Sequence, residues 1–217
     1  MLYNVQKIKE DLFERYPSLR GIESMFIAAY DILNNSIASG GKILICGNGG
    51  SAADAEHFVG ELMKGFHLKR KLQPKDIENM QKSAQDEKLI CSLQKAIPAI
   101  SLSSQLGLIT AISNDISDDM IYAQQVYGYA NSSNDVLIGL STSGNSNNVL
   151  NAIKVANMLG LKSICITGKS NNLLSQLATI CIRVPSTETY MIQEMTIPIY
   201  HALCAMLEFY FFGMEQE

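Results

Sequence analysis

One stretch limits this chain more than any other: Ile43 to Glu61, ILICGNGGSAADAEHFVGE, where an apolar run breaks into glycines and reopens as an amphipathic helix. Ile43 to Cys46 is short and continuously apolar, the pattern of a strand buried on both faces, and Gly47, Gly49 and Gly50 follow at once. Glycines let backbone N–H groups approach a ligand closely. The helix from Ser51 to Glu61 opens with unpaired N–H donors and a partial positive charge. The junction suits an anion, a phosphate above all. His57 and Glu61 stand four residues apart on that helix and share a face.

The same grammar repeats downstream. Apolar strand-like runs at 96–102, 135–140, 163–167 and 179–184 alternate with helical stretches, which makes five strands and predicts a doubly wound parallel sheet. The run 135–140 leads directly into Ser141-Thr142-Ser143-Gly144-Asn145-Ser146 and then a helix, a second junction able to wrap phosphate oxygens. Both loops fall outside the carboxyl end of a strand, where open α/β sheets bind ligands. Gly47, Gly49 and Ala52 also satisfy the dinucleotide fingerprint. The acidic residue that fingerprint needs at the end of the next strand is absent, since that strand ends in Leu102-Ser103.

Two amphipathic helices precede the first strand, at about 4–17 and 22–38, the second with Ser18 as a possible cap and Gly40-Gly41 as its end. They add no strand, so their stripes pack on the domain or on another subunit. Residues 67–95 interrupt the alternation with 7 of the 17 Lys and Arg. This excursion reads as a solvated helical insertion begun by Pro74, or as a lid whose Lys69, Arg70 or Lys71 meets a phosphate. Ser113-Asn114-Asp115 reads as a loop, and a long helix from about Glu188 to Phe212 closes the chain.

At 217 residues, 47% of them hydrophobic and 18% charged, the chain suits one well-cored α/β domain rather than a disordered segment. A net charge of −4 gives no global attraction for nucleic acid. The five cysteines show no CxxC spacing and read as reduced core residues; the amphipathic N-terminus is no signal peptide, and no apolar run reaches the ~18 residues of a membrane span. A cytoplasmic protein without membrane contact is expected.

The final helix carries Gln193, Glu194 and His201 in an apolar setting, where polar groups need partners. With only three histidines in the chain, two of them near carboxylate or amide oxygens, a mixed nitrogen and oxygen metal site is a candidate. The eight residues between Gln193 and His201 span about 12 Å of helix, so Pro198 would have to bend it, or another subunit supply a ligand.

Three ordered motifs, C-G-N-G-G-S-A-A-D-A-E-H-F-x-x-E-L, S-T-S-G-N-S and V-P-S-T-E-T-x-x-I-Q-E with a histidine eight residues after the glutamine, resemble the sugar isomerase (SIS) domain family and, within it, the sedoheptulose 7-phosphate isomerase group. The resemblance covers about residues 40–210 and implies a flavodoxin-like five-stranded sheet, with 40–217 as the SIS domain and 1–39 as oligomerisation helices. It implies a homotetramer with sites near subunit interfaces, and one zinc per site held by His57, Glu61, Gln193 and His201. Substrate contacts would fall at Asn48, Gly49, Gly50, Ser51, Asn114, Asp115, Ser141, Thr142, Ser143, Ser146 and Gln193, with Glu61 and His201 as the acid–base pair. Groups that both bind metal and move protons require exchangeable coordination. A non-catalytic branch similar to the DnaA initiator-associating protein DiaA lacks the glutamate and the last histidine, which this chain keeps. Tyr190, where the heptose enzymes carry aspartate, Met191 in place of a frequent arginine, and the basic excursion bear on which phosphosugar is used.

Overall fold

Each apolar run becomes a strand: β1 (Ile43–Gly47), β2 (Ala99–Ser101), β3 (Val136–Leu140), β4 (Lys162–Gly168) and β5 (Ile180–Val184). In the computed structural model, which describes residues 4–81 and 86–213, they form one sheet in the order β2-β1-β3-β4-β5 with every pair parallel. The chain leaves β1 for one edge and crosses to β3 for the other, so the winding reverses between β1 and β3. The β2 strand is shorter than the 96–102 run because Pro98 has no N–H to give a ladder.

Strand side chains alternate between two cores. Ile43, Ile45, Val136, Ile138, Ile164, Ile166 and Ile182 face one cluster, shared with α1 (Val5–Arg15), α2 (Glu23–Ala38), α3 (Gly50–Met63) and α10 (Thr189–Phe212). Leu44, Cys46, Leu137 and Cys165 face the other, with Val126 of α7 (Ala123–Tyr129) and Val149 and Ile153 of α8 (Asn147–Met158). The remaining helices are α4 (Pro74–Gln81), α5 (Glu87–Ser92), α6 (Leu106–Asp115) and α9 (Leu174–Leu177).

The stripes of α1 and α2 are buried in the domain's own core through Ile8, Leu12, Phe13, Phe26, Ala29 and Leu33. Asn4 caps α1, its side chain accepting from the Lys7 N–H. Ser18 does not cap α2: Pro17 starts a 3-10 turn through Ile22, and α2 begins only at Glu23. Ser113 to Asp115 are not a loop but the last turn of α6, which breaks at Ile116. Pro74 does start α4; residues 82–85 of the expected excursion and the two chain ends lie outside the described residues.

The cysteines are all free, but Cys91 is exposed rather than in the core, because it sits on the short α5 away from the sheet. The expectation about apolar runs also needs correcting. The 24-residue helix α10 is long and apolar enough to cross a bilayer. Here it is a core helix, with Tyr200, Leu203, Cys204 and Leu207 fully or almost fully buried among α1, α2, α3 and the sheet.

One buried carboxylate ties the start of β1 to the start of β3. Asp135 accepts from the N–H of Lys42 at 2.9 Å, from Lys42 Nζ at 2.7 Å, and from the N–H groups of Asn131 and Ser132. Burial opposes its ionisation, but Lys42 and the amide donors outweigh that and hold its carboxyl below the usual range. A depressed folded value contributes stability that is complete above the unfolded pKa, near 3.9, and lost as pH falls through the folded value. Asp135→Asn is therefore expected to destabilise the protein at pH 7, with the gap to wild type closing below about pH 4. Urea unfolding at pH 7, 5 and 3 measures it; a gap independent of pH refutes the assignment.

Candidate active site

The two loops that leave β1 and β3 meet over the sheet. A cleft of about 320 Å³ is lined by Asn48, Gly49, Gly50, Ser51, Ser141, Thr142, Ser146 and Gln193, with Leu140 and Thr189. Gly49 has φ +56°, a conformation that a side chain would strain, and it turns the chain into α3. A Cβ on Gly50 would meet the Gln193 amide, so the Gln193 side chain rests directly against the start of α3.

The walls are tied to each other. Asn48 and Asn148 exchange amide hydrogen bonds at 2.9 and 3.0 Å, and Tyr122 donates to the Gly47 carbonyl and reaches Asn48 Oδ1 at 3.1 Å. Ser141 and Ser146 hydroxyls lie 3.0 Å apart, and the Gly144 N–H donates to Ser141 Oγ. Ser143 is outside the lining, its hydroxyl accepting from the Asn145 N–H. Asn114 and Asp115 stand at the end of α6, bonded to each other at 2.8 Å, and do not line the cleft.

Deeper along α3 and α10 three ionisable side chains come together. His57 Nε2 lies 3.3 Å from Glu61 Oε1 and 3.4 Å from His201 Nε2. Gln193 is two turns back on α10, at the cleft, so the four expected metal ligands divide into a cluster of three and one at the rim. Among the described residues no group of three or more His, Cys, Asp or Glu side chains is placed to hold a metal ion; His57 is the middle of a chain from Glu61 to His201. Burial opposes ionisation of Glu61, but Lys64, bonded to its other oxygen at 2.7 Å, and the two histidines hold its carboxyl below the ordinary range. Burial, then the neighbouring His57, lower His201. At neutral pH the cluster thus offers the Glu61 carboxylate at one end and a neutral His201 imidazole at the other. A second cavity of about 490 Å³ opens on the far side of His201, between α1 and the Phe66-His67 segment.

The Arg70 of the basic excursion is no lid residue. It is fully buried and bonds Glu208 Oε1 through Nε at 2.7 Å, while its other nitrogens donate to the carbonyls of Leu62 and Glu61 at the end of α3. The Glu208 carboxylate also accepts the N–H groups of Phe66, His67 and Leu68. Sequence reasoning missed Glu208, although a lone carboxylate in the apolar run after His201 signals a buried partner. It also missed Asn148 and Tyr122, which no periodicity marks.

A five-stranded parallel sheet with glycine and serine loops at its winding reversal, and a carboxylate–imidazole cluster beyond them, defines an α/β protein built to hold an anionic small molecule and move a proton on it. The sequence matches the SIS domain over residues 19–90 and 87–168, and the chain belongs to that family. The phosphoheptose isomerase of Helicobacter pylori (strain P12) is 38% identical over 194 residues, 89% of this chain and 88% of the relative. That of Aliarcobacter butzleri is 38% identical over 204 residues, 93% of this chain and 95% of the relative. The solved phosphoheptose isomerase GmhA from Neisseria gonorrhoeae superposes with a TM-score of 0.70 at 28% identity, covering 94% of this chain and 92% of that one.

The Arg70–Glu208 lock generates a stability prediction. Glu208→Leu strands a buried guanidinium and three amide N–H groups, and is expected to cost about 3–5 kcal/mol in urea unfolding. Arg70→Met leaves the carboxylate its three amide donors and is expected to cost less. The reverse order would show that the amides, not the guanidinium, are dispensable.

Proposed function

We propose that this chain is a phosphosugar aldose–ketose isomerase acting on sedoheptulose 7-phosphate, the reading its phosphoheptose isomerase relatives support. The observation that carries it is the meeting of His57, Glu61 and His201 beyond an anion-holding cleft on two helices that run side by side. Gly50 at the cleft and His57 at the cluster are seven residues apart on α3, or about 10 Å. A seven-carbon chain extends roughly 7 Å over its six carbon–carbon bonds, at about 1.2 Å per backbone bond, before its phosphate is added. A sugar phosphate of that length can put its phosphate among Asn48 to Ser51 and Ser141 to Ser146 while its first carbons reach the cluster. A triose phosphate falls short.

The chemistry then follows from the charge states. Glu61, held ionised, takes the proton from the carbon beside the carbonyl, and the electron pair moves onto the carbonyl oxygen to give an enediolate. His201, neutral, carries a proton between the two oxygens, and Glu61 returns its proton to the neighbouring carbon. Phosphate binding fixes the reacting carbons against these groups, turning binding energy into orientation.

Zinc, one ion per site, belongs to this reading. Two ligands on a tetrahedral zinc with bonds of 2.0–2.1 Å stand about 3.3 Å apart, and the 3.3 and 3.4 Å separations around His57 fit that spacing and a mixed donor set. His57, Glu61 and His201 would hold it, and bound there it would supply a Lewis acid at the carbonyl oxygen. Gln193, expected as the fourth ligand, stands two turns away at the cleft, so a fourth ligand would have to come from another subunit. A homotetramer is part of the proposal too, supported by the apolar side chains α10 leaves exposed at Tyr190, Met191, Ile197 and Tyr210. The expectation of a cytoplasmic protein is supported by five free cysteines.

A panel of ketose phosphates incubated with the protein and zinc, with isomerisation and deuterium uptake followed by NMR, tests the reaction. Sedoheptulose 7-phosphate is expected to turn over, and Glu61→Gln to lower turnover at least about 100-fold while substrate still binds. Folded, zinc-loaded protein that turns over no member would favour the sugar-phosphate-binding, DiaA-like reading. Light scattering is expected to give the mass of four chains; a single-chain mass would overturn the tetramer.

A further inference from the structure

His57 has two ring nitrogens, and the structure gives them different surroundings. Nε2 faces Glu61 and His201, while Nδ1 lies 2.9 Å from the hydroxyl of Tyr200, a fully buried residue. The same hydroxyl lies 3.4 Å from Asp54 Oδ1. Asp54 is one turn before His57 on α3, and the Tyr200 ring stacks on Phe58 at 5.1 Å and 19°. Aspartate, histidine and tyrosine therefore form a line with the phenol in the middle.

The donors can be assigned by counting protons. A carboxylate only accepts, and the phenol has one proton to give. If Tyr200 gave it to His57, two bare oxygens would face each other between Tyr200 and Asp54. If Tyr200 gives it to Asp54, its oxygen accepts from His57 Nδ1–H and every group in the line is satisfied. That arrangement leaves Nε2 without a proton opposite the Glu61 carboxylate, two acceptors at a distance suited to a shared cation.

We propose that Asp54 and Tyr200 are positioning residues that fix His57 in the tautomer protonated on Nδ1, so that Nε2 presents its lone pair to the point between Glu61 and His201. The proposal deepens the zinc reading and rests on it for its purpose, but the tautomer belongs to the protein alone. Outer partners of this kind orient metal-binding histidines and hold their tautomer. Neither residue touches the reacting atoms.

The test uses full-length, zinc-free protein labelled with nitrogen-15 in its three histidines, with His57 assigned by comparison with His57→Gln. Wild type is expected to show a protonated Nδ1 and a bare Nε2. Tyr200→Phe keeps the ring on Phe58 and is expected to move the proton to Nε2, where Glu61 accepts it. Asp54→Ala frees the Tyr200 proton to turn toward Nδ1 and should do the same, while Asp54→Asn, whose amide oxygen still accepts, should keep the wild-type tautomer. Zinc affinity, read by competition with a chelator, is expected to fall about 10–100-fold in Tyr200→Phe, with thermal unfolding as the control for the fold. A wild-type proton on Nε2, or an unchanged tautomer in Tyr200→Phe, overturns the proposal. Wild type that binds no zinc yet shows the expected tautomer shift upholds the positioning and removes the metal assignment instead.

Discussion

The site depends on one buried ion pair at its far end. Arg70 and Glu208 are both completely out of solvent, a state that costs several kcal/mol per charge unless each is fully bonded. Both are. Glu208 gathers three consecutive backbone N–H groups besides the guanidinium, and Arg70 closes on two carbonyls at the end of α3 with the Phe212 ring 5.1 Å from its centre. The last carbonyls of a helix have no partner within it, and Arg70 caps that of Glu61 and shares that of Leu62 with the Ile97 N–H. Glu61 supplies one of those carbonyls. Its side chain belongs to the cluster and its backbone to the lock, so the fold holds the proposed base from behind.

The near end is held by a different kind of bond. Neutral amides and hydroxyls join the loops after β1 and β3, and the Asn48–Asn148 pair uses the two-donor, two-acceptor symmetry of amides to bridge them. A charged lock there would compete with an anionic ligand for the same donors. Polar but uncharged walls fix the cleft without placing a formal charge among its lining residues.

The elements that repeat locally were legible from the sequence. Strand runs, the two loop junctions and the shared face of His57 and Glu61 follow from periods of two and 3.6 residues, and the polar residues of α10 announced that a partner was needed. What stayed hidden is what joins distant residues. Arg70 in a basic stretch reads as solvated or substrate-facing until Glu208, 138 residues on, accounts for it. Asp54 and Tyr200 carry no sign that they meet at His57, and Tyr200 reads as one more apolar residue of a core helix. Boundaries failed where local chemistry was ambiguous: Ser113-Asn114-Asp115 are good turn residues that are also tolerated in a last helical turn.

The arrangement of α3 and α10 explains how two helices from opposite ends of the chain can present one chemical unit. Gly50 abuts Gln193, His57 meets Tyr200, and Phe66 just beyond α3 meets Glu208, with sequence offsets of 143 for the second pair and 142 for the third. A nearly constant offset means that the two segments run in the same direction in fixed register. Slipping α10 by one residue would turn its side chains by about 100° and send His201 away from His57. The Tyr200 ring on Phe58 and the Glu208 lock sit at two successive heights and each resists that slip. The distance from the cleft to the His57, Glu61 and His201 cluster is therefore set by helix rise. A change of preferred sugar length would be sought first in the loops at either end, not in the helices between them.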